Sequence, residues 1–190
     1  MTVNATLANT TRAAHDIGLA AWLGGAMFGK FAHNPSLRKI GSHVERGSVA
    51  NAAWNGYNLV NAAGLGAAAV GWGAARATEA KGSKLSGTEL GLSRAKDALM
   101  ATAVVTGAGS ALQGARLARQ APGALAVETG TVPASETPVA AAKIQRSLGL
   151  LATLNIAAGV ALVGVNAVIA QNAHSHPPVQ RSLLARLRFA

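Results

Sequence analysis

Four asparagines recur at helical spacing in NAAWNGYNLVNAAG, residues 51–64, with no charged residue among them. Each side-chain amide carries donors and an acceptor, and burying one without partners costs on the order of a few kcal/mol. At 100° per residue Asn51, Asn55, Asn58 and Asn61 share one helical face, spread over about 120°. A second polar face follows at Thr102, Thr106, Ser110 and Gln113, and a narrower stripe holds Asn155, Gly159, Leu162 and Asn166. Two kinds of chemistry suit such groups. They can hydrogen-bond between helices and fix their register, at roughly 0.6–2 kcal/mol per contact. Alternatively, they can line a hydrated cavity that takes a small polar molecule. The candidate set for either role is Asn51, Asn55, Asn58, Asn61, Thr106, Ser110, Gln113, Asn155 and Asn166.

Metal chemistry has a thinner basis. His15, Asp16, His174 and His176 gather at one end of a four-span arrangement, and imidazole with carboxylate suits a divalent ion. Adjacent residues point apart on a helix, however, and the HSH tract runs into Pro177 and Pro178. These four are weak candidates, and the expectation is no metal and no cofactor. Haem is disfavoured because no histidine falls in the middle of a span. The absence of cysteine removes thiolate sites, disulfides and thiol nucleophiles. There is no phosphate-binding loop, nucleophile elbow or His-Glu-x-x-His, and GAGSALQG misses the dinucleotide spacing. No catalytic residue is therefore expected, and the chain reads as non-enzymatic.

The elements that must hold these residues follow from composition. Of the 190 residues 50% are apolar and 13% charged, with a mean hydropathy of +0.28, against about 25% charged in soluble domains. Four stretches approach the roughly 20 apolar residues that a bilayer-spanning helix needs: about 13–32, 47–75, 98–115 and 147–173. The fold class expected is all-α, an integral membrane four-helix bundle occupying residues 1–176, with short connections. Residues 177–190, with Leu183, Leu184 and Leu187 opposite Arg181 and Arg188, read as a basic amphipathic tail on the membrane surface. The connection from Leu117 to Lys143, rich in alanine and proline, reads as a mobile loop. Small residues four apart (Ala21, Gly25, Gly29; Ala67, Gly71, Ala75; Ala103, Gly107, Ala111) suit close packing of membrane helices, while Trp22, Trp54 and Trp72 suit the interfaces. The net charge of +10 is scattered in short groups rather than gathered in one patch, which argues against nucleic acid. The two faces of the membrane receive nine and eight Lys/Arg, so the positive-inside rule leaves orientation open. The tail and the long uncharged third connection favour both termini in the cytoplasm. No cleaved leader is expected at the N-terminus.

HDIGLAAWLGGAMFGKFAHNP, residues 15–35, resembles the first helix of small bacterial four-helix membrane proteins of the uncharacterised DUF4149 and copper-resistance-D-like kinds. The resemblance covers about twenty residues and implies an inner-membrane bundle without implying any functional residue. The alanine- and glycine-rich, lysine-poor texture resembles proteins of high-GC bacteria such as actinobacteria. Together these readings make the chain a multi-pass cell-membrane protein, a partner subunit or scaffold. Its partners would be the lipid bilayer and a homo-oligomer or membrane protein. The alternative is a binder or transporter of small polar molecules using the asparagine-lined cavity.

Overall fold

A computed structural model of the protein describes residues 3–78, 80–82, 85–120 and 125–175. Four long helices dominate them: α1 (Val3–Phe28), α2 (His43–Ala77), α3 (Gly87–Gln120) and α4 (Val139–Ser175). The 177–190 tail and His176 lie outside the described residues. At 1.5 Å per residue α2, α3 and α4 each run about 50 Å, well past the hydrocarbon thickness of about 30 Å. They exceed the hydrophobic segments because local capping signals, rather than hydropathy, set their ends. Ser42 Oγ accepts from Glu45 N–H at 3.3 Å to open α2. At the start of α3 the exchange is reciprocal, Ser86 Oγ taking Glu89 N–H at 3.4 Å and Glu89 taking Ser86 N–H at 2.9 Å. Arg94 and Lys96 are therefore helical, not part of a loop.

The helices run up and down. Gly18 of α1 faces Gly64 and Ala68 of α2, and Gly71 of α2 faces Thr11 and His15, so the two are antiparallel over most of their length. On the other side, α3 and α4 pair through Asn155 with Ala103 and through Gln113 with Ser147. Two helical hairpins thus form from neighbours in sequence. They meet through α1 against α4 and α2 against α3, around a core of Leu19, Trp22, Ala68, Trp72, Met100, Ala103, Ile156 and Leu162.

The α1–α2 hairpin is built on missing side chains. A Cβ on Gly18 would lie 2.5 Å from the Gly64 carbonyl oxygen and 2.8 Å from Ala68 N. Gly25 leaves room for the Tyr57 ring and Gly29 for Trp54. Of the small-residue ladders, Gly25, Gly29, Gly71, Ala75 and Ala103 make such contacts or are buried, whereas Ala111 is exposed. Trp22 and Trp72 depart from the interfacial expectation and sit buried in the core, because each indole N–H finds an acceptor there.

The connections differ from expectation as well. The chain leaves α1 through a π-helical turn at Gly29–His33 and short helical turns up to Lys39. Between α3 and α4 lies a two-stranded antiparallel hairpin, β1 (Val127–Thr129) and β2 (Val132–Pro133), instead of a mobile loop. It folds over the end of the bundle because Gly47 lets the Leu125 backbone settle on α2 and because charge holds it there. Arg46 donates to Glu128 at 2.9 Å and to the Ile40 carbonyl at 2.7 Å, while His43 stands 3.3 Å from Glu128 and 3.1 Å from Glu136.

Candidate functional site: polar groups buried between four helices

The asparagine face of α2 does not point inward. Asn51, Asn55 and Asn58 are exposed; Asn61 alone turns in, half-buried, with its Oδ1 buried and unpartnered among the described residues. Small residues decided the rotation. Gly47, Ala50, Gly64, Ala68, Gly71 and Ala75 occupy the buried face, and that face lies roughly 100° round the helix from the asparagines. Close backbone approach to α1 is available only there. Among the described residues, the three exposed amides consequently turn away from the interior of the bundle.

The polar faces of α3 and α4 do turn in. Asn155 is the hub: its Oδ1 accepts from Trp22 Nε1 at 3.0 Å, and its Nδ2 donates to the Ala103 carbonyl at 2.9 Å and to Thr106 Oγ1 at 2.8 Å. One amide thereby ties α1, α3 and α4 at a single level. Thr106 in turn donates to the Thr102 carbonyl at 2.7 Å, and Ser110 to the Thr106 carbonyl at 2.9 Å. Those hydroxyls are engaged by their own helix and have no base beside them. Gln113 donates to Ser147 at 3.1 Å, a second α3–α4 tie.

Nearer the end where the chain begins, a longer set of contacts crosses all four helices. Lys96 is 3% exposed, and its Nζ donates to Asn166 Oδ1 at 2.6 Å while sitting 4.2 Å from the centre of the Trp72 ring. Asn166 passes the connection on, donating from Nδ2 to Asp16 Oδ1 at 2.9 Å. The Trp72 indole N–H donates to Asp97 at 2.8 Å, and Arg76 Nε reaches both Asp97 oxygens at 3.1 Å and also donates to the Ala80 carbonyl. Two cations and two carboxylates thus balance, which a buried ammonium requires if it is to stay charged. His15, 4% exposed, stacks at a tilt on Trp72 with ring centres 6.5 Å apart. Its Nδ1 lies 2.6 Å from the Ala68 carbonyl and must donate there, leaving Nε2 buried without a partner among the described residues.

His15 and Asp16 consequently diverge, one into the α1–α2 contact and the other towards α4, and do not form a chelate. Among the described residues no three His, Cys, Asp or Glu side chains gather into a metal set. His174 lies in the last turn of α4, and its side chain is outside the described part. The joining of Lys96, Trp72 and Asp97 was not read from the sequence, because the hydropathy boundary left Lys96 and Asp97 outside the third span. The Ser-Gly-Thr-Glu cap at 86–89 was the available signal that the helix starts at Gly87, well before the apolar stretch. Comparison with protein-family models, curated proteins and solved structures finds no match.

Proposed function

We propose that this chain is a non-enzymatic membrane protein, a four-span bundle that serves as a partner subunit or scaffold and associates with a second copy of itself. The observation carrying the membrane part is where the large apolar side chains lie. Ile17, Leu59, Val70, Val105, Leu112, Leu150 and Val160 are all more than half exposed. Two helices, Gly87–Gln120 and Val139–Asn172, are long and apolar enough to cross a membrane, yet only 17% and 28% of their apolar windows are buried. The core helix of a water-soluble protein would bury most of such a window. Here the apolar surface faces outwards, as it does when lipid is the solvent. Four antiparallel helices bring the start of α1 and the end of α4 to one side, which on our reading is the cytoplasmic one.

The exposed face of α2 supports the association. Ser48, Asn51, Asn55, Asn58, Ala62, Gly66 and Gly73 are exposed and fall within about 80° of one another. Among the described residues, a Cβ on Gly66 or Gly73 would meet nothing within 4 Å, so no contact there accounts for glycine at either position. Amides facing acyl chains are costly, whereas a second copy of the same face satisfies them, since each amide both donates and accepts. Membranes carrying the protein, washed in alkaline carbonate, are expected to retain it in the pellet until detergent is added. Release into the wash would refute the membrane reading.

A further inference from the structure

Charge at the β1–β2 end of the bundle is not matched among the described residues. Eight Lys/Arg stand at that end against Glu45, Glu128 and Glu136. Glu128 is taken by Arg38, Arg46 and His43, and Glu136 by His43. At the opposite end Arg76 has Asp97, and Lys96 reaches Asp16 through Asn166. Among the described residues Arg116, Arg119, Lys143 and Arg146 have no carboxylate partner, and all four are exposed.

The register of α3 against α4 places two of these cations together. Gln113 opposite Ser147 and Ala103 opposite Asn155 bring Arg116 level with Lys143, one on each side of the outer seam. Arg116 is drawn back along its helix, donating from Nη1 to Gln113 Oε1 at 3.3 Å, while Gln113 itself holds Ser147. Like charges at one level repel, and an anion from outside the chain relieves them. Towards mid-span both faces turn apolar. Val105 and Leu112 lie within about 40° of Arg116, and Leu150 and Leu154 within about 20° of Lys143; all four are exposed. At 1.5 Å per residue the two cations stand about 6–10 Å beyond Leu112 and Leu150. Arg116 and Arg146 are also the first charges past the apolar stretches 98–115 and 147–173, the level at which headgroups lie.

We propose that the outer seam of α3 and α4 binds an anionic phospholipid, its phosphate between Arg116 and Lys143 and its acyl chains over Leu112, Leu150 and Leu154. The inference rests on the membrane reading. Cation followed by apolar side chain is the order of headgroup and tail in a lipid, an order that neither free phosphate nor nucleic acid shares. The Arg116 fork suits two phosphate oxygens, and Lys143 adds a point charge. A zwitterionic headgroup would set its own ammonium against Arg119 and Arg146, so the lipid must be net negative. The seam lies on other helices than the exposed amide face of α2, so association through that face leaves it open.

The test uses the full chain in uncharged maltoside micelles, with the backbone amide NMR signals of residues 112–119 and 143–150 as reporters. The probes are dioleoylphosphatidylglycerol, dioleoylphosphatidylcholine and inorganic phosphate. Phosphatidylglycerol is expected to move both sets of signals saturably, and the other two are not. Arg116→Gln with Lys143→Gln should weaken that response about thirtyfold for two lost cations. Lys81→Gln with Arg94→Gln removes equal charge from exposed positions at the other end and should leave the response unchanged. An equal loss in both double variants would reduce the effect to diffuse attraction and overturn the site. Equal shifts with phosphatidylcholine or inorganic phosphate would overturn the anionic-lipid assignment. If no saturable shift appears while the chain stays in the carbonate-washed pellet, the seam proposal alone fails; release into the wash removes the membrane reading beneath it.

Discussion

At the residue scale the molecule depends on one amide and a few absent methyl groups. Asn155→Ala strips the acceptor from the buried Trp22 indole N–H and removes one donor each from the Ala103 carbonyl and the Thr106 hydroxyl, which keep their bond to one another. The expected loss is about 1–3 kcal/mol of unfolding free energy in detergent, and a smaller change would show that water replaces the amide. Glycine substitutions should split by sign. Gly18→Ala drives a methyl group into the α2 backbone and is expected to cost about 1–3 kcal/mol. Gly24→Ala meets nothing and should stabilise by about 0.5–1 kcal/mol through helix propensity. Parallel denaturant unfolding of the two variants measures both. Asn155 was legible in the sequence because it lies on a stripe with Gly159 and Leu162, a face that can only be inward. Asn51, Asn55 and Asn58 misled because polarity alone does not say which face a helix buries; Gly64, Ala68 and Gly71, about 140° round the helix, do.

Elements end where caps and prolines say, rather than where hydropathy fades. Serine–glutamate pairs at Ser42 and Ser86 start α2 and α3, and Pro138 precedes α4, whose first turn is anchored by Ala142 N–H on the Pro138 carbonyl at 2.9 Å. The β1–β2 hairpin was not legible at all. Its alanine- and proline-rich surroundings read as a loop, and the ion pairs that order it come from Arg46 and His43, more than 80 residues away. Glu136 gives this element a pH response. Its carboxylate sits below the ordinary value of 4.5 because its own backbone N–H, then His43 and then Ser135 donate to it. A carboxyl lowered in the folded state contributes stability that is complete above 4.5 and is lost as pH falls through the lower folded value. NMR signals of Val127–Pro133 should therefore broaden on acidification below about 4.5. In Glu136→Gln that dependence should flatten; an unchanged profile would contradict the role given to Glu136.

The bundle carries many large apolar side chains on its surface, valine and leucine among them, around a core in which Leu19, Trp22, Met100 and Leu162 mix with alanine, glycine and polar links. That pattern was legible from the low charge and the four apolar stretches. The arrangement of the two hairpins was not, because it depends on Trp22 meeting Asn155 and Lys96 meeting Asn166 across large sequence separations. The exposed amide face gives a prediction at this scale. Asn55→Leu with Asn58→Leu removes no contact inside the bundle, so unfolding in detergent should be unchanged. Self-association measured by energy transfer in lipid vesicles should weaken about tenfold, from roughly 0.6–2 kcal/mol per lost interhelical bond. Lowered melting with intact association would contradict the outward placement of these side chains.

The pairing of each helix with its neighbour in sequence has a consequence for how the protein is made. The first two helices can zip together along their glycines as soon as both have left the ribosome, while the second pair is still being translated. The later step is the closing of one seam, where a few polar groups act as latches between two finished halves. A polypeptide nicked between Thr78 and Ser86 should then reassemble from separately synthesised fragments. A nick within either pair should not be rescued in this way.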